Sequence, residues 1–210
     1  MLQQIKELST NPKFIEAEKQ KDILEQKIYK VFSILRDKPS NNMKKLLNYI
    51  DKIINIFRPF IPCKEKCPNC CFIDVPISRI EISLIEKYIN KKKKLINIKR
   101  NENVVKTIFE KERENGINFG KLSGGKKCPF LNNKNECCIY CVRPYNCRKY
   151  IVFEKDNKKC GYNENIALQF KSLITDTIYN KIISYDTNRD YIFNLYQELF
   201  EIRDCFYEVN

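Results

Sequence analysis

The chain has 210 residues, 43% hydrophobic and 12% aromatic, with 13 Phe and 12 Tyr against 5 Gly and 8 Pro; that is ample material for a core and excludes disordered, collagen-like and linker-like chains. Histidine is absent, which removes imidazole-based nucleophiles, His proton shuttles and His metal ligands, so a metal has to be held by sulfur or oxygen. The net charge of +13 invites a phosphate-bearing partner, although Lys, Ile and Asn dominate the chain in the manner an AT-rich genome imposes on any protein.

The opening Met1-Leu2-Gln3-Gln4-Ile5-Lys6-Glu7 holds no apolar run of the kind a secretion signal needs. No stretch approaches the roughly 18 apolar residues of a membrane span, so the expected compartment is the cytoplasm. Thiols stay reduced there, and clustered cysteines read as metal ligands or redox groups before disulfides.

Residues 1–60 read as a helical segment. Leu24, Ile28, Val31, Phe32 and Leu35 mark one apolar stripe, and after a break at Lys38-Pro39-Ser40 the same spacing returns in Leu46, Ile50, Ile53, Ile54 and Phe57. The cysteine-rich run from Cys63 to Cys71 is bracketed by Pro62 and Pro68, which keep it out of regular helix. Phe72 to Ile77 is short and extended, and Ser78-Arg79-Ile80-Glu81 has the form of a capping box, predicting a helix from Arg79 with a stripe of Ile80, Leu84, Ile85 and Tyr88 that ends in the Lys91 to Lys94 run. Residues 95–114 read as weakly helical, and Asn115 to Lys127, with four glycines, as a loop into a second cysteine group. Beyond Cys160, Ala167, Phe170, Ile174, Ile178 and Ile182 form a stripe, and Thr187-Asn188-Arg189-Asp190 opens a last helix carrying Ile192, Leu195, Tyr196, Leu199 and Phe200.

Eleven cysteines stand out, ten of them between residues 63 and 160. The first group is Cys63-x3-Cys67-x2-Cys70-Cys71; the second runs from Cys128 through Cys137, Cys138 and Cys141 to Cys147, with Cys160 trailing and Cys205 alone. Gaps of two or three residues let sulfurs converge on one centre, and soft thiolates select Zn²⁺ or an iron–sulfur cluster. Neighbouring side chains in an extended segment point to opposite sides, so Cys70 and Cys71 could serve different centres. Disulfides, a redox relay and plain packing are the competing explanations, the last apt for Cys205.

The first group with Ile73-x-Val75-x-Ile77-Ser78-x-x-Glu81-Ile82 resembles the YkgJ-type CxxCxxCC family. So does the second block: Cys128-Pro129-Phe130-Leu131, then Cys138-Ile139-Tyr140, then Arg143-Pro144-x-x-Cys147-Arg148-x-Tyr150. The resemblance covers about residues 60–165 and implies a zinc- or iron-chelating domain in which Cys63, Cys67, Cys70, Cys71, Cys128, Cys138, Cys147 and Cys160 form the metal set, with Cys137, Cys141 and Cys205 outside it. Two features depart from the pattern: the first gap is x3 rather than x2, and Asn69 stands where a glycine often precedes the pair. Flagellin lysine N-methylases look like distant relatives of this family, implying a 4Fe-4S cluster used in S-adenosylmethionine-dependent methyl transfer. The Cys63-x3-Cys67-x2-Cys70 spacing also resembles the triad of radical S-adenosylmethionine enzymes, but the glycine-poor, helical sequence after it lacks their run of β/α units.

The resulting expectation is a mainly α protein whose helices pack around two irregular cysteine-rich loops holding a metal centre. Its segments would be 1–60 (helical), 61–165 (metal-binding) and 166–210 (C-terminal helices on the same core). A 4Fe-4S cluster is expected, with redox or methyl-transfer use. The alternative is a structural zinc module binding protein or nucleic acid, its phosphate contacts being Lys91 to Lys94, Lys126-Lys127 and Lys158-Lys159. Arg143 and Arg148 are candidates to offset the thiolate charge and Tyr140 to line the site. The substrate or partner, a protein or a small molecule, is not legible.

Overall fold

The computed structural model describes residues 2–33, 38–63, 66–72, 75–92, 96–100, 128, 130–153, 170–184, 192–194 and 200–205. Helix dominates them, and no helix among the described residues is long and apolar enough to cross a membrane. Internal contacts gather the chain into two units, one of residues 1–64 and 144–191 and the other of 65–143 and 192–210.

In the first unit, α1 (Leu2–Ser9) leads into α2 (Pro12–Phe32), which starts where the Asn11 side chain accepts the Lys13 and Phe14 amides and Pro12 supplies a pre-set φ. The break at Pro39 is the first residue of α3 (Pro39–Phe57), and its expected stripe is the centre of the core: Leu46, Ile50, Ile53, Ile54 and Phe57 are all buried. α3 packs against α2, the short α5 (Tyr145–Lys149) and α6 (Leu173–Ser184). At its end Phe57 meets Phe14, Phe153 and Phe170 with ring centroids 5.8, 5.3 and 5.9 Å away. The stripe expected on α2 is only half realised, since Ile28 and Phe32 are buried but Val31 is 48% exposed. α6 begins later than its stripe suggested: Phe170 is buried in the approach to the helix, and Ile178 and Ile182 of the stripe are buried within it together with Thr175 and Tyr179. Ala167 and Leu35 lie outside the described residues.

In the second unit, β1 (Pro76–Ser78) runs into α4 (Arg79–Lys91) through the expected capping box. Ser78 Oγ accepts the Glu81 amide, and Glu81 Oε2 accepts the Ser78 amide at 2.8 Å and the Ser78 hydroxyl at 2.7 Å. Two expected helices are not helical where they are described. Ile96–Arg100 is strand β2, antiparallel to β4 (Phe200–Cys205), and Ile192–Asn194 is β3, antiparallel to β1 with Ile77 opposite Phe193. The reason is legible in hindsight: Ile96 and Ile98, like Phe200 and Ile202, alternate with polar residues at the period of two that suits a strand. Residues 101–127, with Lys126-Lys127, lie outside the described residues, as do Leu195 to Leu199.

Candidate metal centre

Within the first cysteine loop, Asn69–Phe72 forms a 3-10 turn that carries Cys70 and Cys71 together. The second is a tight hairpin in which Leu131 and Cys137 face each other in an antiparallel bridge. Asn132 builds its turn, its Oδ1 accepting the Lys134 and Glu136 amides at 2.9 Å, while Asn135 takes the left-handed conformation that asparagine tolerates. Two links join the loops. The Cys128 amide donates to the Cys71 carbonyl at 2.7 Å, and Lys66 Nζ pairs with Glu136 Oε1 at 2.6 Å, holding the Glu136 carboxyl below its ordinary pKa together with Asn132.

These links bring thiols into one neighbourhood. Cys71 shares a hydrogen bond with Cys70 and interacts electrostatically with Cys128 and Cys137, so that the Cys70 bond, burial and the nearby sulfurs all push its thiol far up. Burial pushes Cys137 up to about 11, with Cys70 and Cys141 adding to the rise, while a backbone bond at Ile139 and the Arg143 guanidinium oppose it. Arg143 also lies over the Tyr140 ring, 4.2 Å from its centroid, a cation–π seat that fixes the positive charge near these sulfurs. Cys141, on the 3-10 turn Tyr140–Val142, hydrogen-bonds the Tyr88 hydroxyl of α4; burial first and this bond second raise Tyr88 to about 12.

No family model, curated protein or solved structure matches the chain.

Of the eight cysteines expected as ligands, Cys70, Cys71 and Cys128 are gathered here, and Cys67 belongs to the same unit. Cys137, which the motif resemblance leaves out, stands among them. Cys138 does not offer a thiolate in this state: it is 4% exposed and disulfide-bonded, whereas the other eight cysteines with described side chains carry thiols. The consideration of adjacent pairs applied to Cys70 and Cys71, extended to Cys137 and Cys138, was the signal that could have drawn attention to Cys137. Cys63 and Cys147 belong to the first unit, the carbonyl of Cys63 accepting from Arg58 Nη1 at 3.2 Å and Cys147 riding on α5 rather than in a loop. Arg148, the next residue of α5, is buried and ion-paired with Asp51 of α3. Cys160 and Lys158-Lys159 lie outside the described residues.

Among the described residues, no three Cys, Asp or Glu side chains are collected into a set that would hold a metal ion as they stand. The donor chemistry nevertheless fits a soft metal. Thiols that raise one another by proximity are thiols whose ionised forms repel, and a cation bonded to the sulfurs removes that repulsion.

Proposed function

We propose that the second unit holds a cysteine-ligated metal centre, a 4Fe-4S cluster in preference to zinc, with Cys70, Cys71, Cys128 and Cys137 as its thiolates. The observation that supports this reading is the tie between the two cysteine loops, where the Cys128 amide donates to the carbonyl of Cys71, itself hydrogen-bonded through its thiol to Cys70. Iron–sulfur stands ahead of zinc on the strength of the CxxCxxCC resemblance. When bound, such a cluster supplies one-electron chemistry or an iron that accepts a ligand. The chain's own contribution is to draw the two loops together, to shed a proton from each ligating thiol, and to set Arg143 where its charge offsets the thiolates. Through the same resemblance the reading extends to redox use of the cluster or to S-adenosylmethionine-dependent methyl transfer.

The experiment is anaerobic purification followed by iron, zinc and acid-labile sulfide analysis with an absorption spectrum. A brown protein with about four iron and four sulfide per chain is the expected result, and Cys137→Ala should lower iron content. A colourless protein retaining zinc would replace the cluster by a structural site, and a chain that takes up neither metal would overturn the reading. Titrating S-adenosylmethionine into the loaded protein then tests the methyl-transfer extension.

A further inference from the structure

Five large apolar side chains stand exposed among the described residues, and four of them, Ile15, Ile23, Tyr29 and Val31, lie on α2. The fifth, Leu173, is the first residue of α6 and is 82% exposed. The Ser172 hydroxyl just before it donates to Glu25 of α2, which brings the start of α6 to the turn of α2 that precedes Tyr29. On α2, residues 15, 19, 23, 27 and 31 follow one another at i, i+4 spacing and all five are exposed, so Ile15, Lys19, Ile23, Lys27 and Val31 form one ridge about 24 Å long. Lys13 and Lys30 are also exposed on this helix. Its exposed acids are Glu16 and Asp22, and Asp22 Oδ1 is paired with Lys21 Nζ at 3.1 Å. The outer face of α2 therefore alternates apolar and cationic groups and carries a net positive charge.

We propose that the outer face of α2 is the surface by which this protein lies against an anionic lipid bilayer, with Ile15, Ile23, Val31 and Leu173 entering the headgroup region and Lys19, Lys27 and Lys30 meeting headgroups of the phosphatidylserine kind. The inference is independent of the metal centre. The alternation along the ridge favours this occupant over others. A protein partner covering the ridge would have to desolvate Lys19 and Lys27 together with the apolar residues they separate, and charged groups are depleted from the centres of protein interfaces. A nucleic acid would meet the lysines through its phosphates and leave Ile15, Ile23 and Val31 without a role. A bilayer surface suits both kinds of side chain at once. The lysine stems lie along their apolar neighbours while the ammonium groups stay at the level of the phosphates, the apolar tips leave water, and anionic lipid attracts the net charge. On its other side α2 is anchored in the protein through the buried Ala17, Ile28 and Phe32, so the contact requires no unfolding.

The test is flotation of the 210-residue chain at physiological ionic strength with vesicles of phosphatidylcholine and phosphatidylserine in equal parts, and with vesicles of phosphatidylcholine alone. The chain is expected to float with the first and to stay behind with the second; failure to float with the first, or equal recovery with both, overturns the proposal. Ile23→Ser/Val31→Ser leaves the charge unchanged and is expected to lower binding several-fold, whereas unchanged binding would reduce the attraction to net charge and overturn the assignment of this face. Lys19→Gln/Lys27→Gln should lower binding more than Lys44→Gln/Lys52→Gln, which removes the same charge from exposed positions of α3; an equal loss overturns the proposal in the same way. Acetylation of the wild-type chain, mapped by peptide mass spectrometry, decides the matter even if a variant fails to fold. Vesicles should protect Lys19 and Lys27 relative to Lys44 and Lys52, and equal protection of all four overturns the proposal. Protection of Lys19 and Lys27 that arises without lipid as protein concentration rises would make the occupant a second copy of this chain, and overturns it too.

Discussion

Arg148 is 4% exposed, and the hydrogen bond that Asp51 accepts from its Nη1 helps to offset the cost of burying a guanidinium there. Breaking such a pair from the carboxylate side leaves the cation buried with less to offset it, whereas replacing the cation itself removes the problem together with the pair. Asp51→Ala is therefore expected to lower the unfolding free energy by about 2 kcal/mol, below the full range for buried pairs since Asp51 is itself 38% exposed, and Arg148→Met by less; urea unfolding of both variants checks the order. One helical turn away, Tyr145 is fully buried, stacks on Tyr179 at 4.6 Å, and its hydroxyl meets Thr175 Oγ1 at 2.7 Å and Asp176 Oδ1 at 2.9 Å. Burial pushes this phenol up from its ordinary 10.0. A folded-state pKa above the unfolded one means that the contribution is complete below pH 10 and is lost as pH rises beyond it, since the unfolded phenol ionises first. Stability should thus fall from about pH 10 upward, and Tyr145→Phe should flatten that decline at a neutral-pH cost of about 1 kcal/mol for the lost hydrogen bonds. An unaltered alkaline slope in the variant would assign the decline to other groups.

At the scale of elements, the capping box is where sequence and structure agree most closely. Ser78 and Glu81 are 3% and 1% exposed, so their reciprocal bonds are made away from water and replace solvent that is not there. Ser78→Ala is expected to cost about 1–2 kcal/mol, the upper part of the range for N-caps, and to speed hydrogen exchange of the Glu81 amide before that of amides in α3. The helices were legible because their signals are local: a proline at Pro39, a cap at Ser78, a stripe from Leu46 to Phe57. The β1–β3 and β2–β4 ribbons were not, because Ile77 finds Phe193 and Ile98 finds Ile202 only through pairings across more than a hundred residues, and a five-residue alternation such as Ile96–Arg100 is too short to outweigh a helix-compatible neighbourhood. The candidate site divides in the same way. Cys70, Cys71 and Cys128 were marked by spacing and motif, whereas Cys137 enters through its bridge with Leu131, and the Lys66–Glu136 pair through a contact between loops that no local pattern announces.

For the molecule as a whole, the charge of +13 has two readings, a nucleic-acid surface or a compositional burden, and two of the described lysines have a local role in either case. Lys91 closes α4 and Lys92 is its C-cap, the Lys92 amide donating to the Tyr88 and Ile89 carbonyls. Cations there answer the negative end of the helix dipole, a role that needs no phosphate. Net positive charge by itself attracts any polyanion, and the attraction decays as counterions compete. The 210-residue chain is therefore expected to bind labelled duplex DNA and heparin alike at low salt, with no sequence preference and with log affinity falling linearly with log salt; fluorescence anisotropy across a salt series measures this. The Lys91→Glu/Lys92→Glu double variant should weaken both ligands equally and destabilise α4 by about 1 kcal/mol through the dipole and cap. Selective loss of DNA over heparin, or a preferred sequence surviving physiological salt, would instead make the C-terminal end of α4 a phosphate-contacting surface and bring a nucleic acid back as the partner.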